Sequence, residues 1–223
     1  MKRAIVFLIR VALMVLVWFV WWWVYRAPLP NAVNLAIIVG GIVLVYPFVW
    51  LGRKILILHP TATRAVWTTT FVHFGLGFFL GIPLICALSA HRHWPDMAIP
   101  VPPGIGLSLV IVSGVAFLVT VANLALKGLG APFFIVLSKK LADEWIYAWT
   151  RNPMALAGLS LLLSVGIWFQ SVLFVLWVIV LFAPALLFFI KTYEEQELEI
   201  RFGPPYLAYK SRTPMLFPRQ PRF

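Results

Sequence analysis

Charge is what this chain has least of. Eighteen Lys and Arg and seven Asp and Glu carry all the formal charge in 223 residues, 11% of the chain, where a water-soluble domain carries about a quarter. That shortage excludes a soluble fold. Hydrophobic residues make up 62% of the sequence, and an aqueous surface cannot be built from the rest, so the bilayer is the expected solvent. Cysteine is nearly absent too. Cys86 stands alone within an apolar run, which leaves no internal disulfide and no Cys-based metal site, only a buried bystander. The net charge of +11 does not point to nucleic acid. No basic helix is present, and Lys and Arg stand at the ends of apolar runs, where helix ends grip anionic headgroups.

Long hydrophobic runs are what the chain has instead. A span needs about 20 apolar residues, and 4–25, 32–51, 67–90 and 105–126 qualify; two shorter runs, 154–169 and 171–190, flank Gln170-Ser171. The first run is too long for the apolar core of a signal peptide, ends in Trp21-Trp22-Trp23 and has no clear cleavage site, so it reads as a retained span. The last two read as a tight helical hairpin. The expected fold is therefore all-α: a transmembrane bundle of about six spans with a terminal hairpin, then a C-terminal helix and tail. A four-span scaffold over 1–126 would precede a region over 127–223 that carries the chemistry.

Positive charge gives the orientation. With the amino terminus inside, fifteen cations are cytoplasmic (Lys2, Arg3, Arg53, Lys54, Arg64, Lys127, Lys139, Lys140, Arg151, Lys191, Arg201, Lys210, Arg212, Arg219, Arg222). Arg26 and Arg92 face the other side, and Arg10 stays inside the first span. This bias puts both termini in the cytoplasm, and the expected location is a bacterial inner membrane. Six of the seven acids, Asp143, Glu144, Glu194, Glu195, Glu197 and Glu199, flank the hairpin, and only Asp96 precedes them. In the tail, 191–202 has helical character, and Glu197 precedes Arg201 by four residues in the favourable ion-pair order. Gly203 and Pro204-Pro205 stop that helix. The Pro-rich, basic remainder is either disordered or folded back over the hairpin with Tyr206, Tyr209, Leu216 and Phe217 as anchors.

Two polar clusters bracket the hairpin: Tyr147 with Arg151-Asn152-Pro153 before it, and Glu194-Glu195 after it. A short turn brings the open ends of an antiparallel pair together, so Arg151 and Glu195 are expected neighbours. Taken alone, these residues fit a structural ion pair with Pro at a first helical turn as well as they fit a binding site.

Residues 128–219 resemble the isoprenylcysteine carboxyl methyltransferase and phospholipid methyltransferase superfamily. The likeness runs from Gly128-Leu-Gly130-Ala-Pro132 through Lys139-Lys140-Leu141, Tyr147 and Arg151-Asn152-Pro153-Met154. It ends in Glu194-Glu195-x-x-Leu198-x-x-x-Phe202-Gly203-x-x-Tyr206-x-x-Tyr209, Pro214 and Pro218-Arg219, its most specific part. The resemblance implies methyl transfer from S-adenosylmethionine to a lipophilic small molecule or lipidated acceptor reached from the bilayer, amid membrane lipids. It assigns Glu195 as catalytic and, with Glu194, to the cofactor's ammonium. Arg151 and Asn152 go to its carboxylate end, with Pro153 beside them, and Tyr147, Trp149, Tyr206 and Tyr209 to an adenine slot. Arg201, assigned a catalytic role, and Arg212, assigned to substrate, would meet an anionic acceptor group, although lipid headgroups account for both equally. No metal is called for, and the acceptor's identity and the oligomeric state are not legible.

The pattern also departs from the family. Its usual Tyr and Gly after the Pro are Ala155 and Ala157, with Gly158 one later; its Gly two before the Tyr is Trp145, and the Arg after that Tyr is Ala148. These losses keep a non-catalytic lipid-binding or scaffolding relative in play. A sterol-reductase-type enzyme using NADPH shares the terminal hairpin and acidic pair, but the Arg-Asn-Pro-Met run favours methyl transfer. His91 and His93, with only Asp96 nearby, fall short of the three or four ligands zinc takes. His73, inside the third span, is expected to bond a backbone carbonyl or Thr68–Thr70. Trp18, Trp21, Trp22 and Trp23 read as an interfacial belt.

Overall fold

The computed structural model describes residues 2–26, 29–58, 60–90, 97–128 and 138–221, with side chains from residue 7 onward. His91, Arg92, His93, Asp96, Arg222 and the Gly130-Ala131-Pro132 stretch lie outside the described residues. Among those described, regular structure is helical, apart from one isolated bridge between Ala98 and Ser171. The helices are α1 (Lys2–Arg26), α2 (Asn31–Leu58), α3 (Ala62–Phe79), α4 (Gly81–Ala90), α5 (Pro103–Asn123), α6 (Ile146–Trp149), α7 (Pro153–Trp168), α8 (Val172–Trp177), α9 (Ala183–Phe189), α10 (Glu195–Phe202) and α11 (Pro204–Arg212).

Five described segments are long and apolar enough to cross a bilayer: Phe7–Arg26, Asn31–Leu58, Ala62–Ala90, Pro103–Gly128 and Val172–Phe202. The shorter apolar α7 makes up the sixth expected run. The multi-span, all-α expectation therefore holds. Two boundaries moved for a common reason: charged or polar residues end an apolar run without ending a helix. Thus α2 continues through Arg53 and Lys54 to Leu58, with the Lys54 ammonium 3.7 Å above the Trp50 ring. At the other boundary α3 starts at Ala62, capped by Thr61, whose hydroxyl accepts from the Arg64 N–H at 3.3 Å. The break between α3 and α4 is placed by Pro83, which has no N–H to offer the carbonyl one turn back.

The helices form two compact units. The first gathers the described residues of 1–96 with Ile179–Glu197. Lipid tails are as apolar as Leu, so helices within a bilayer associate through close packing at small residues and through hydrogen bonds. Both devices are present. A Cβ on Gly41 would stand 2.4 Å from Pro83, one on Gly75 2.1 Å from Phe48, and one on Gly81 2.2 Å from Trp21. The Trp21 indole N–H donates to the Gly77 carbonyl at 2.8 Å, while Trp18, Trp22 and Trp23 stay exposed. Arg10, buried within α1, donates to the Thr70 hydroxyl at 2.8 Å. His73 bonds the Thr69 carbonyl at 3.0 Å, as expected, and Cys86 is buried.

The second unit gathers the described residues of 97–178 with those of 198–223. Here α5 packs along α7. A Cβ on Gly106 would meet the Trp168 backbone at 2.5 Å, and the Ser113 hydroxyl donates to Ser164 at 3.2 Å. The α7–α8 turn closes at Gln170, whose φ is 56°, and at Ser171, which caps α8 by accepting from the Phe174 N–H. Residues 97–101 clasp this turn: the Ile99 N–H donates to the Gln170 carbonyl at 3.0 Å, and the Gln170 amide donates to the Val101 carbonyl at 2.8 Å. The expected tight hairpin turn is present.

Candidate functional site

Within the second unit, the Arg-Asn-Pro run sits in a short connection between α6 and α7. The connection begins where the Asn123 side-chain oxygen accepts the Ile146 N–H at 3.1 Å, fixing α6 to the end of α5. Thr150 is extended, at φ −151° and ψ 144°. Pro153 opens α7 at a position where its missing N–H costs nothing.

The tail lies back over this connection and is ordered against it. Gly203, at φ +58°, takes the left-handed conformation that glycine tolerates best and ends α10; Pro204 and Pro205 then open α11. That helix turns Tyr206 and Tyr209 inward, with ring centroids 6.2 Å apart, and exposes Leu207. The Tyr209 hydroxyl donates to the Tyr147 carbonyl at 2.7 Å. Beyond α11 the chain runs as a strap over 213–219. The Arg151 N–H donates to the Pro214 carbonyl at 2.9 Å, and the Arg219 N–H to the Trp149 carbonyl at 3.0 Å. The buried Thr150 hydroxyl lies 2.9 Å from the Leu216 carbonyl and 3.2 Å from that of Met215, which also accepts the Asn152 amide at 2.9 Å.

Tyr147, Tyr206 and Tyr209 are thus brought together as a packed wall, and Asn152 bonds the strap. Burial pushes the Tyr209 hydroxyl above the ordinary phenol range; Tyr147 and Tyr206 add to the effect, and the Arg151 charge opposes it. Arg201 donates to the Ser138 carbonyl and lies 4.9 Å from the Phe202 ring centroid. Arg212 forms an exposed ion pair with Asp143 at 2.8 Å, and Lys210 pairs with Glu199 at 2.8 Å. Trp149 and Phe217 remain exposed.

The acidic cluster belongs to the first unit. It follows a π-helical turn, Ile190–Glu194, that leads into α10. Glu195 is 7% exposed and Glu197 3%, while Glu194 is half-buried. Sequence reasoning singled out Glu194 and Glu195 and gave Glu197 only a helix-pairing role. Its burial was foreshadowed only by its place two residues after Glu195.

Three features escaped the sequence. The strap's acceptors are backbone carbonyls, which no residue type announces. Thr150 had a signal, a hydroxyl next to the Arg-Asn-Pro run, but one that fits any loop. The third is Trp145, at φ 55° and ψ −120°, where the resemblance expects glycine. An L-residue there is strained by roughly 1–3 kcal/mol. Its exposed ring receives Lys127, whose ammonium lies 4.9 Å from the ring centroid and 2.6 Å from the Glu144 carboxylate.

No curated protein and no solved structure matches the chain. The family model of the phospholipid methyltransferases matches residues 103–204, a little under half of it. The match spans α5, the Arg-Asn-Pro connection, the α7–α8 turn and the acidic cluster, and stops at the start of α11. Residues 103–204 thus match the phospholipid methyltransferase family, which belongs to the isoprenylcysteine carboxyl methyltransferase and phospholipid methyltransferase superfamily.

Proposed function

We propose that this protein transfers a methyl group from S-adenosylmethionine to a lipophilic acceptor reached from the bilayer. The carrying observation is the built connection at 147–152, where six hydrogen bonds with the tail, one of them from the Tyr209 hydroxyl, hold the chain around Arg151. A rigid connection presents a guanidinium in a defined direction, which suits the planar, two-pronged recognition of a carboxylate.

The residue set fits the cofactor's chemistry. Arg151 offers a partner for its carboxylate. Glu195, with Glu194 beside it, offers one for its ammonium, and the buried Tyr147, Tyr206 and Tyr209 supply an apolar wall for its adenine. When bound, S-adenosylmethionine supplies an activated methyl on a positively charged sulfur. The chain's task is then alignment and the exclusion of water. Asn152 acts through the strap, keeping Thr150 and Arg151 in register. Arg201 and Arg212 are proposed to meet the acceptor's anionic group, with Arg212 released from Asp143 as the acceptor arrives. In this scheme residues 1–126 are scaffold and 127–223 the methyl-transfer region, with both termini in the cytoplasm of a bacterial inner membrane.

The test is a transfer assay in lipid nanodiscs with labelled methyl donor and a total lipid extract. Label in the organic phase, lost in Arg151→Gln, supports the proposal. Label-free lipid combined with NADPH binding turns the assignment to a membrane reductase, and binding of neither cofactor leaves a non-catalytic relative.

A further inference from the structure

Tyr193 is fully buried within the first unit, one residue before the acidic pair. Its hydroxyl and that of Thr69 on α3 are 2.9 Å apart. The ring stacks on Phe189 at 5.9 Å and 17° and crosses α2 at Gly52, where an added Cβ would stand 3.4 Å from it. Phe189 in turn meets the His73 ring edge-on at 5.5 Å, and His73 is tied to the Thr69 carbonyl. Tyr193 therefore docks the last long helix onto α2 and α3 together.

The docking falls inside the π-helical turn Ile190–Glu194. Such a turn holds one residue more than an α-helical one, and successive residues of an α-helix are rotated by about 100°. Where the extra residue is accommodated decides which way Glu194, Glu195 and Glu197 face. Should the turn relax to α geometry, the acids would swing by about that angle. A π turn is retained only when its surroundings favour it, and the one side chain in it bonded across to α3 is Tyr193.

We propose that Tyr193 is a positioning residue: its bond to Thr69 holds the π turn and so aims the Glu194–Glu195 pair. This rests on the cofactor role proposed for that pair, and it gives α3, which lies outside the family match, a part in the site. The bond is buried and joins the π turn to α3 within one unit, so its loss should act on direction more than on packing. Tyr193→Phe keeps the ring and its contacts with Gly52 and Phe189 while removing only the hydroxyl.

The experiment uses the full chain in nanodiscs and two readouts. Affinity for S-adenosylhomocysteine is measured by calorimetry, and amide exchange over 191–198 is measured without ligand. Tyr193→Phe and Thr69→Val are each expected to weaken affinity roughly fivefold, the worth of one hydrogen bond. Together they should weaken it no further than either alone, Thr69→Ser should restore wild-type affinity, and exchange over 191–198 should rise in the two damaging variants. Wild-type affinity in Tyr193→Phe, or losses that multiply in the double variant, would overturn the positioning role. A wild-type protein that binds no S-adenosylhomocysteine overturns the cofactor role and with it the aiming of the pair. Exchange then still decides whether the bond holds the turn.

Discussion

Removing the Thr150 hydroxyl should loosen the C-terminal strap while leaving the bundle folded. Thr150→Val replaces that hydroxyl with a methyl group of similar size at a buried position, so packing is nearly conserved. What disappears is the donor shared by the Met215 and Leu216 carbonyls. A lost hydrogen bond that leaves a partly buried acceptor unsatisfied costs about 1–3 kcal/mol. Met215 keeps the Asn152 amide as a donor, whereas among the described residues Thr150 alone bonds the Leu216 carbonyl, which favours the middle of the range. About 2 kcal/mol corresponds to roughly a thirtyfold rise in the open population of the strap. Hydrogen exchange followed by mass spectrometry reads this directly at the Arg219 amide, which donates to the Trp149 carbonyl. Asn152→Ala should raise the same exchange by roughly fivefold. Because either side chain still serves Met215 when the other is lost, the double variant should exceed the product of the two. Exchange at 213–219 that is unchanged in Thr150→Val would refute the strap as described.

Trp145 gives a test of backbone strain that cancels the side chain. Trp145→Gly and Trp145→Ala both remove the ring and its Lys127 contact, but only Gly accepts φ 55° without penalty. Gly should be the more stable by about 1–2 kcal/mol in thermal unfolding, and equal melting would remove the strain. The Tyr209 phenol, raised by burial, stays protonated in the folded chain above about pH 10, where an unfolded tyrosine ionises. The unfolded state then binds fewer protons, so stability falls as pH rises past that point; Tyr209→Phe should flatten the fall in a pH series of melting curves. Arg212→Gln breaks only an exposed pair with Asp143, worth under about 1 kcal/mol. It should leave melting alone and raise the acceptor KM, and an unchanged KM would return Arg212 to the lipid surface.

The bundle was legible because a bilayer imposes one requirement, about 20 consecutive apolar residues with every backbone group bonded within the segment. Runs such as 32–51 and 105–126 announce that without any knowledge of neighbours. Gly203 and the two prolines were equally plain, since few residues stop a helix and restart one. The candidate site was legible in its charged members, its tyrosines and Asn152, but not in what fixes them. Arg151 and Glu195 stand out because charge is so scarce here, but what holds them is written in groups that sequence does not distinguish. Met215 and Leu216 accept through their main chains, as any residue would. The π turn before Glu195 leaves the apolar pattern almost unaltered, because a single accommodated residue is lost within a run that is hydrophobic on every face. Tyr193 likewise reads as one more aromatic until Thr69, 124 positions away, is placed against it.

The central proposal, that this chain binds a sulfonium nucleotide, is tested most directly by calorimetric titration of S-adenosylhomocysteine into the nanodisc-embedded protein. Wild type should bind at micromolar strength. Arg151→Gln and Glu195→Gln should each lose roughly ten- to a hundredfold, the range for a hydrogen bond to a charged group. Heat absent from the wild-type titration, or both variants binding as wild type does, would contradict it.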